Sequence, residues 1–258
     1  MTKFLNHQNR LLALACMLFA CLSSYVPACA SADVESSEKN WDPIMQSSQK
    51  TYLSDNDKDG RDCIERMVKA ADDINDYTFD YQMNVFKKTK GHVTSQSGHF
   101  DFKKPRKIRL EVTDGLNEGS VAVMTQPGKV RGHFGGMLSL FVGNVGEHSA
   151  YLRSPNGWPL VDSDFLSLAQ AIRGYVVTDG HPTKVTRQAV EWSDGKRYLV
   201  LELYEGPGDM RVWKRVIVDS NSYLPAYWFD YQNGKLWTYS FWKNVRINPG
   251  IADSVFQL

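Results

Sequence analysis

The feature that most restricts the fold of this chain is a long series of segments in which apolar residues occupy every second position. The first segment covers residues 77–86 and has Phe79, Tyr81, Met83 and Val85 in this spacing. A period of two places such side chains on one face of a β-strand. Similar segments follow at 99–104, 107–112, 120–125, 130–134, 183–192, 197–204, 210–218, 223–231 and 236–247. Most connections between them are short and contain Gly, Asn, Asp or Pro, so we predict an antiparallel meander.

Two segments have a helical period instead. The first has apolar residues three and four positions apart, at Ile64, Met67, Val68, Ala71 and Ile74. The second repeats this spacing at Phe165, Leu168, Ala169 and Ile172. It follows Asp162 and Ser163, which we predict to cap the helix. Because helices do not alternate with single strands, a parallel sheet is disfavoured and the predicted fold class is α+β, mainly β.

The N-terminus has the pattern of an export signal. Lys3 and Arg10 precede a short apolar stretch, and small residues follow it, so we predict a signal peptide over residues 1–30 with cleavage after Ala30 or Ala32. An alternative is lipid attachment at Cys21, although Phe19 fits that pattern poorly. We favour export with a free N-terminus.

We predict two further regions after the signal. Residues 31–60 are polar and rich in Ser and Asp, which indicates an N-terminal arm, and residues 61–258 are predicted to form one domain. Removal of residues 1–30 would leave 28 basic against 29 acidic residues, a net charge near −1. That balance gives no general attraction for nucleic acid, which we exclude as a partner.

The basic stretch "SGHFDFKKPRKIRLEV" lies between two predicted strands. Lys103, Lys104, Arg106 and Lys107 surround Pro105, which cannot donate a ladder hydrogen bond. We interpret it as a corner between strands, with the basic side chains facing water.

The chain lacks the short motifs of several enzyme classes: G-x-S-x-G, H-E-x-x-H, C-x-x-C and a phosphate loop. Asp55, Asp57 and Asp59 imitate the start of a calcium-binding loop, but Arg66 stands where the bidentate glutamate belongs. His92 and His99 lie near Asp101 without a recognised metal spacing. We therefore expect no catalytic residue, no metal and no cofactor.

The order of elements resembles the LolA/LolB-like group of exported lipoprotein carriers. The residues that match that group are Gly98, Phe100, Pro105, Lys107 and Arg109, then Asp253 and Phe256 in a short tail. The middle, from "RGHFGGMLSLF" to "LAQAIRGYV", looks more like an uncharacterised exported family related to that fold. The resemblance implies an antiparallel half-barrel sheet wrapped around a few helices, with an apolar cavity for acyl chains.

On this basis we predict a ligand-binding wall from two strands. Phe79, Tyr81 and Met83 repeat at period two, and so do Trp237, Tyr239 and Phe241, so each set points one way from its strand. We expect both sets to line one concave apolar face.

The sequence therefore predicts an exported, periplasmic, non-catalytic binding protein that holds an acyl chain or the lipid moiety of a lipoprotein, as a carrier or a sensor. The alternatives are a cell-envelope enzyme acting on lipid or glycan, and a protein–protein module of envelope regulation. Its partners would be lipid or lipoprotein acyl chains and envelope proteins. Peripheral membrane association, with the protein lipid-anchored in the envelope, is expected only if Cys21 is lipidated.

Overall fold

The computed structural model describes residues 50–53, 58–86, 93–192 and 194–258. The predicted cleavage sites at Ala30 and Ala32, the alternative lipidation site Cys21 and most of the polar arm lie outside these residues. The boundaries proposed at residues 30 and 60 therefore stay predictions.

The described residues contain two α-helices, α1 (Arg61–Asp72) and α2 (Phe165–Val177). The strands are β1 (Lys58–Asp59), β2 (Asp76–Phe86), β3 (Val93–Lys103), β4 (Lys107–Gly115), β5 (Val121–Gln126), β6 (Lys129–His133), β7 (Gly143–Val145), β8 (Thr183–Val185), β9 (Val190–Glu191), β10 (Arg197–Gly206), β11 (Asp209–Asp219), β12 (Pro225–Gln232) and β13 (Lys235–Ile247). Short 3₁₀ helices cover Gly136–Leu140, Ala150–Leu152, Leu160–Asp162 and Asp253–Phe256.

The strands form one antiparallel sheet in the order β1-β8-β10-β11-β12-β13-β2-β3-β4-β5-β6-β7, and β9 pairs with β10. Two meanders, β2 to β7 and β10 to β13, are joined where β13 pairs with β2. The sheet is open, and its inner face packs on the two helices. The predicted fold class, an α+β and mainly β half-barrel, is confirmed.

The helices lie against one face of the sheet, which we call the inner face. Ile64 and Met67 of α1 and Ile172 of α2 belong to the same buried cluster as Phe79 of β2 and Val216 of β11. Burial of this shared apolar surface stabilises the helices on the sheet, at about 25 cal/mol per Å². Within the described ranges, neither helix has the length and apolar character needed to cross a membrane.

The start of α2 differs from the prediction. Asp162 and Ser163 do not cap this helix, because the chain first makes a 3₁₀ turn over Leu160–Asp162. Asp164 is the N-cap, and its side chain accepts a hydrogen bond from the Ser167 amide at 3.0 Å. The Phe165 amide donates to the hydroxyl of Tyr77 at 2.9 Å, which ties the helix start to β2.

The basic corner at Pro105 does connect two strands, β3 and β4, through a cis Lys104–Pro105 bond. The prediction that its basic side chains face water holds only in part, because they are half-buried and also contact the chain itself. Lys103 and Lys107 both reach Asp253 of the C-terminal tail, each with an Nζ–Oδ distance of 2.8 Å. These two ion pairs hold the pKa of Asp253 well below its usual range, at about 2.

The same tail crosses the outer face of β4 and β5. Arg109 donates from Nη1 to the Val255 and Gln257 carbonyl oxygens at 3.4 and 3.1 Å. Phe256 packs against Val121 and Val123 of β5. Four of the residues that carry the family resemblance, Lys107, Arg109, Asp253 and Phe256, thus hold the tail on the sheet.

Gly98 is required by a close approach between β3 and β4. Its Cβ, if present, would lie 1.9 Å from the Glu111 carbonyl oxygen, beside a register shift at Ser97. A side chain there would push β3 and β4 apart, so the glycine of the motif is explained by backbone packing.

Candidate functional site

The described residues enclose a mostly apolar cavity of about 250 Å³ on the inner face of the sheet. Its wall contains residues from nine neighbouring strands, β11 through β13 and β2 through β7. Strands lie about 4.8 Å apart, so this strip of sheet measures nearly 40 Å along its curve. An apolar cavity of roughly 150 Å³ can already bind benzene. The cavity here therefore has room for a larger apolar group.

Phe79, Tyr81 and Met83 of β2 form part of this wall, at the centre of the strip. Phe79 is buried and stacks on Phe100 of β3 with ring centroids 4.8 Å apart. Tyr81 and Met83 are half-buried, so they border open space rather than solid core. Burial raises the pKa of Tyr81 above its usual value, and its hydroxyl stays a neutral hydrogen-bonding group. The structure thus brings the first predicted set of residues to the cavity.

The connection between β7 and α2 supplies a second part of the cavity wall. Trp158 of this connection lies across from Trp228 of β12, with ring centroids 6.4 Å apart. Its indole Nε1 donates to the Asp162 carbonyl oxygen at 2.7 Å. Arg106 at the β3–β4 corner donates to the Val161 carbonyl oxygen at 3.1 Å. The contact with Trp228 and the hydrogen bond from Arg106 therefore hold the connection against the sheet.

Large apolar side chains are exposed on the β6–β7 connection and near the start of the β7–α2 connection. We call Phe134, Phe141 and Tyr151 the mouth, because they line the cavity and are also exposed, Phe141 by 71% and Tyr151 by 66%. Leu140 is 87% exposed beside them. Exposed apolar side chains gathered at one place on a soluble domain are typical of a surface that contacts lipid or protein.

The wall at β11 and β12 carries a buried ion pair. Lys214 Nζ lies 2.6 Å from Asp230 Oδ1, and the two side chains are only 10% and 12% exposed. Three rings surround the ammonium, with centroids at 4.3 Å for Trp213, 5.4 Å for Tyr175 and 5.6 Å for Trp228. The cavity therefore has an apolar mouth near β6 and β7 and a buried ion pair at β11 and β12, and its mostly apolar wall includes further polar side chains such as Gln96 and Ser240.

The second predicted set of wall residues, Trp237, Tyr239 and Phe241, does not lie on the cavity wall. Ser240 and Trp242 pair with Met83 and Tyr81, so these residues of β13 share the inner face. Tyr239 and Phe241 alternate with them and lie on the outer face. There Phe241 contacts Tyr227, with ring centroids 5.9 Å apart.

Trp237 falls at a register shift, between Leu236, which pairs with Tyr231, and Thr238, which pairs with Asp230. It does not belong to the cavity wall that the described residues form. The prediction that Trp237, Tyr239 and Phe241 share a wall with Phe79, Tyr81 and Met83 is therefore wrong. The reason is that both faces of β13 are buried here, so apolar side chains do not mark the inner face.

Sequence reasoning missed Lys214 and Asp230. A signal was present, because each is a charged residue inside a largely apolar stretch, "VWKRVIV" and "YWFDY", although Arg215 is charged as well. Charged side chains are almost never fully buried unless they are paired. Their pairing could not be read from one sequence, since it depends on the register of β11 against β12, which sets Lys214 opposite Asp230.

His99 belongs to a separate polar network on the outer face. Its Nδ1 lies 2.8 Å from Asp80 Oδ1, and its Nε2 lies 2.6 Å from Thr78 Oγ1 and 3.2 Å from Asp101 Oδ1. Hydrogen bonds to Asp101 and then Asp80 raise the pKa of His99 to about 9. His92 lies outside the described residues, so the structure does not place it.

In the part of the chain that is described, no three His, Cys, Asp or Glu side chains are arranged to hold a metal ion. Asp55 and Asp57 of the calcium-like segment fall outside that part, and the expectation that they bind no calcium stays a prediction.

The chain is similar to solved structures at low sequence identity. A DUF1329 family protein from Desulfovibrio piger is 13% identical, with 76% of this chain and 96% of that chain covered and a TM-score of 0.36. A LolA superfamily protein from Nitrosomonas europaea is 10% identical, with 78% and 98% covered and a TM-score of 0.36. The MucA/MucB complex from Pseudomonas aeruginosa contains a chain that is 11% identical, with 76% and 60% covered and a TM-score of 0.41. One of these neighbours is thus a LolA superfamily protein, the group that the sequence resembles. The sequence matches no family model and no curated protein.

Proposed function

We propose that this protein is an exported, non-catalytic binding protein that holds an acyl chain, free or as the lipid moiety of a lipoprotein, in the inner-face cavity. The observation that carries the proposal is a mostly apolar cavity of about 250 Å³ whose mouth is built from exposed aromatic side chains. The signal-like N-terminus supports export, with the periplasm as the compartment.

Binding of this kind needs no reactive group. Each methylene that moves from water into an apolar cavity contributes about 0.8 kcal/mol, or roughly a fourfold gain in affinity. We therefore expect the affinity for alkyl ligands to rise with chain length until the cavity is full. The exposed mouth offers a path from a membrane or a lipoprotein into the cavity.

Binding of N-phenyl-1-naphthylamine, an uncharged fluorescent probe, tests the proposal. Met83→Glu places a carboxylate on the half-buried wall, where it should lower probe affinity at least about tenfold because a charge next to an apolar ligand is poorly solvated. Gln82→Glu is the matched control, because Gln82 is the adjacent residue of β2 and faces the other side of the sheet. A wild type that binds no probe, or two variants with equal affinity, would overturn the proposal.

The second candidate is a protein–protein module, which the exposed Leu140, Phe141 and Tyr151 favour, because such side chains are also typical of protein interfaces. Native mass spectrometry of the protein purified from its source separates the two. Co-purified lipid supports the binding protein, whereas an empty cavity with a bound protein partner supports the module.

A further inference from the structure

The buried ion pair in the cavity wall is more polar than a purely apolar ligand requires. Lys214 and Asp230 face each other on neighbouring strands and both contribute to the wall. Placing two charges in a low-dielectric region costs free energy that a pair of apolar side chains would avoid. A role in recognising the polar part of a ligand would explain why the pair lies in this position.

The Asp230 carboxylate already accepts hydrogen bonds at both of its oxygens. Asp230 Oδ1 accepts from Lys214 Nζ at 2.6 Å and from Trp228 Nε1 at 2.9 Å, and its Oδ2 accepts from Thr238 Oγ1 at 2.9 Å. Three donors hold the carboxylate in one orientation. A ligand donor would have to displace one of them, so Asp230 is poorly suited to bind ligand directly.

The Lys214 ammonium can donate more hydrogen bonds than Asp230 accepts. A lysine ammonium has three N–H bonds. Among the described residues, Asp230 is the oxygen acceptor for Lys214, and the remaining close neighbours are the rings of Tyr175, Trp213 and Trp228. Two N–H bonds therefore have no oxygen acceptor in that part of the chain, and they lie in the cavity wall.

Charge balance decides what kind of oxygen fits there. Lys214 and Asp230 together are neutral. A carboxylate bound to Lys214 would leave two negative charges and one positive charge in a buried site, which is costly. A carbonyl oxygen of an ester or amide adds no charge and can accept one of the spare N–H bonds.

We propose that the cavity selects acyl compounds with an uncharged carbonyl, as in an ester or amide, and that Lys214 donates a hydrogen bond to that oxygen while Asp230 keeps the site neutral. This inference rests on the proposed function. It adds the chemical class of the ligand and a binding role for two residues that the acyl cavity alone does not require.

The experiment measures displacement of N-phenyl-1-naphthylamine by methyl dodecanoate, N-methyldodecanamide and dodecanoate at pH 8, where the acid is ionised. Wild type, Asp230→Asn and the double variant Lys214→Met/Asp230→Asn are compared. The double variant leaves no unpaired charge in the wall. The probe has no carbonyl, so its own affinity reports whether each variant keeps a folded cavity.

In the double variant, we expect the ester and the amide to bind at least about tenfold more weakly than in wild type, with probe affinity unchanged, because the hydrogen bond from the charged Lys214 ammonium is lost. In Asp230→Asn, we expect the ratio of dodecanoate to ester affinity to rise at least about tenfold, since Lys214 then lacks its counter-charge. Any apolar cavity disfavours a carboxylate, so a wild-type preference for the ester does not by itself support the inference. The test is therefore how the affinities change between the variants.

Unchanged ester and amide affinity in a double variant that binds the probe would overturn this inference and leave the acyl-chain proposal intact. An unchanged dodecanoate-to-ester ratio in Asp230→Asn would also overturn it. A wild type that binds neither probe nor ligand would overturn the proposed function itself. If a variant fails to bind the probe, wild-type preference for dodecanoate over the ester still refutes the inference.

Discussion

Removal of the Phe256 side chain should destabilise the domain while leaving the cavity able to bind its probe. Phe256 is 2% exposed in the C-terminal 3₁₀ helix and packs against Val121 and Val123 on the outer face of β5. The backbone on either side of it is held by Arg109, through the Val255 and Gln257 carbonyl oxygens. The tail is therefore fixed in place, and it cannot move freely to fill the space that a smaller side chain would leave.

The size of the effect follows from this packing. Phe→Ala in a protein core costs about 3–5 kcal/mol. The cluster around Phe256 is small and lies at the edge of the domain, so we place Phe256→Ala at the lower end, about 3 kcal/mol. For a domain of this size, each kcal/mol lowers the Tm by about 2–4 °C, which predicts a decrease of about 6–12 °C.

Thermal and urea unfolding, followed by tryptophan fluorescence, measure the change. Leu258→Ala is the matched control, because Leu258 belongs to the same tail but is 42% exposed, and it should change the free energy of unfolding by less than about 0.5 kcal/mol. The reasoning is refuted if Phe256→Ala and Leu258→Ala unfold with the same midpoint. Loss of probe binding in a folded Phe256→Ala protein would contradict the assignment of this tail to the outer face.

Further predictions concern single groups. Hydrogen bonds to Asp101 and Asp80 raise the pKa of His99 from 6.5 to about 9, so its contribution to stability is complete below pH 6.5 and is lost as the pH rises through 9. His99→Gln should flatten that part of the unfolding free-energy profile, and an unchanged profile would contradict the network. Burial raises the pKa of Cys63 to about 12, so a thiol reagent should label it only on unfolding, and rapid labelling of native protein would show that the helix face is open. Intact-mass measurement should find a mature N-terminus at Ser31 or Asp33, whereas acyl chains on Cys21 would establish a lipoprotein.

The local pattern of the sequence is enough to predict the elements of this fold. Apolar spacing of two predicted the long strands from β2 onward, and apolar spacing of three and four predicted α1 and α2. These signals are local, because a strand or a helix exposes one face to its surroundings whatever lies there. Motif residues such as Gly98 and Asp253 were also visible, although the sequence does not show that Asp253 pairs with Lys103 and Lys107.

The contacts between elements depended on tertiary structure. The pattern of β13 separates Tyr239 and Phe241 from Ser240 and Trp242, but only the pairing of β13 with β2 decides which set faces the cavity. Both faces of that strand are buried, so the usual rule of apolar inside and polar outside does not apply. The pairing of Lys214 with Asp230 depends in the same way on strand register, and a shift by one residue would move either side chain to the opposite face of the sheet. The sequence by itself therefore determined the strands and helices, whereas the composition of the cavity wall was decided by long-range strand pairing, which places residues distant in the chain side by side.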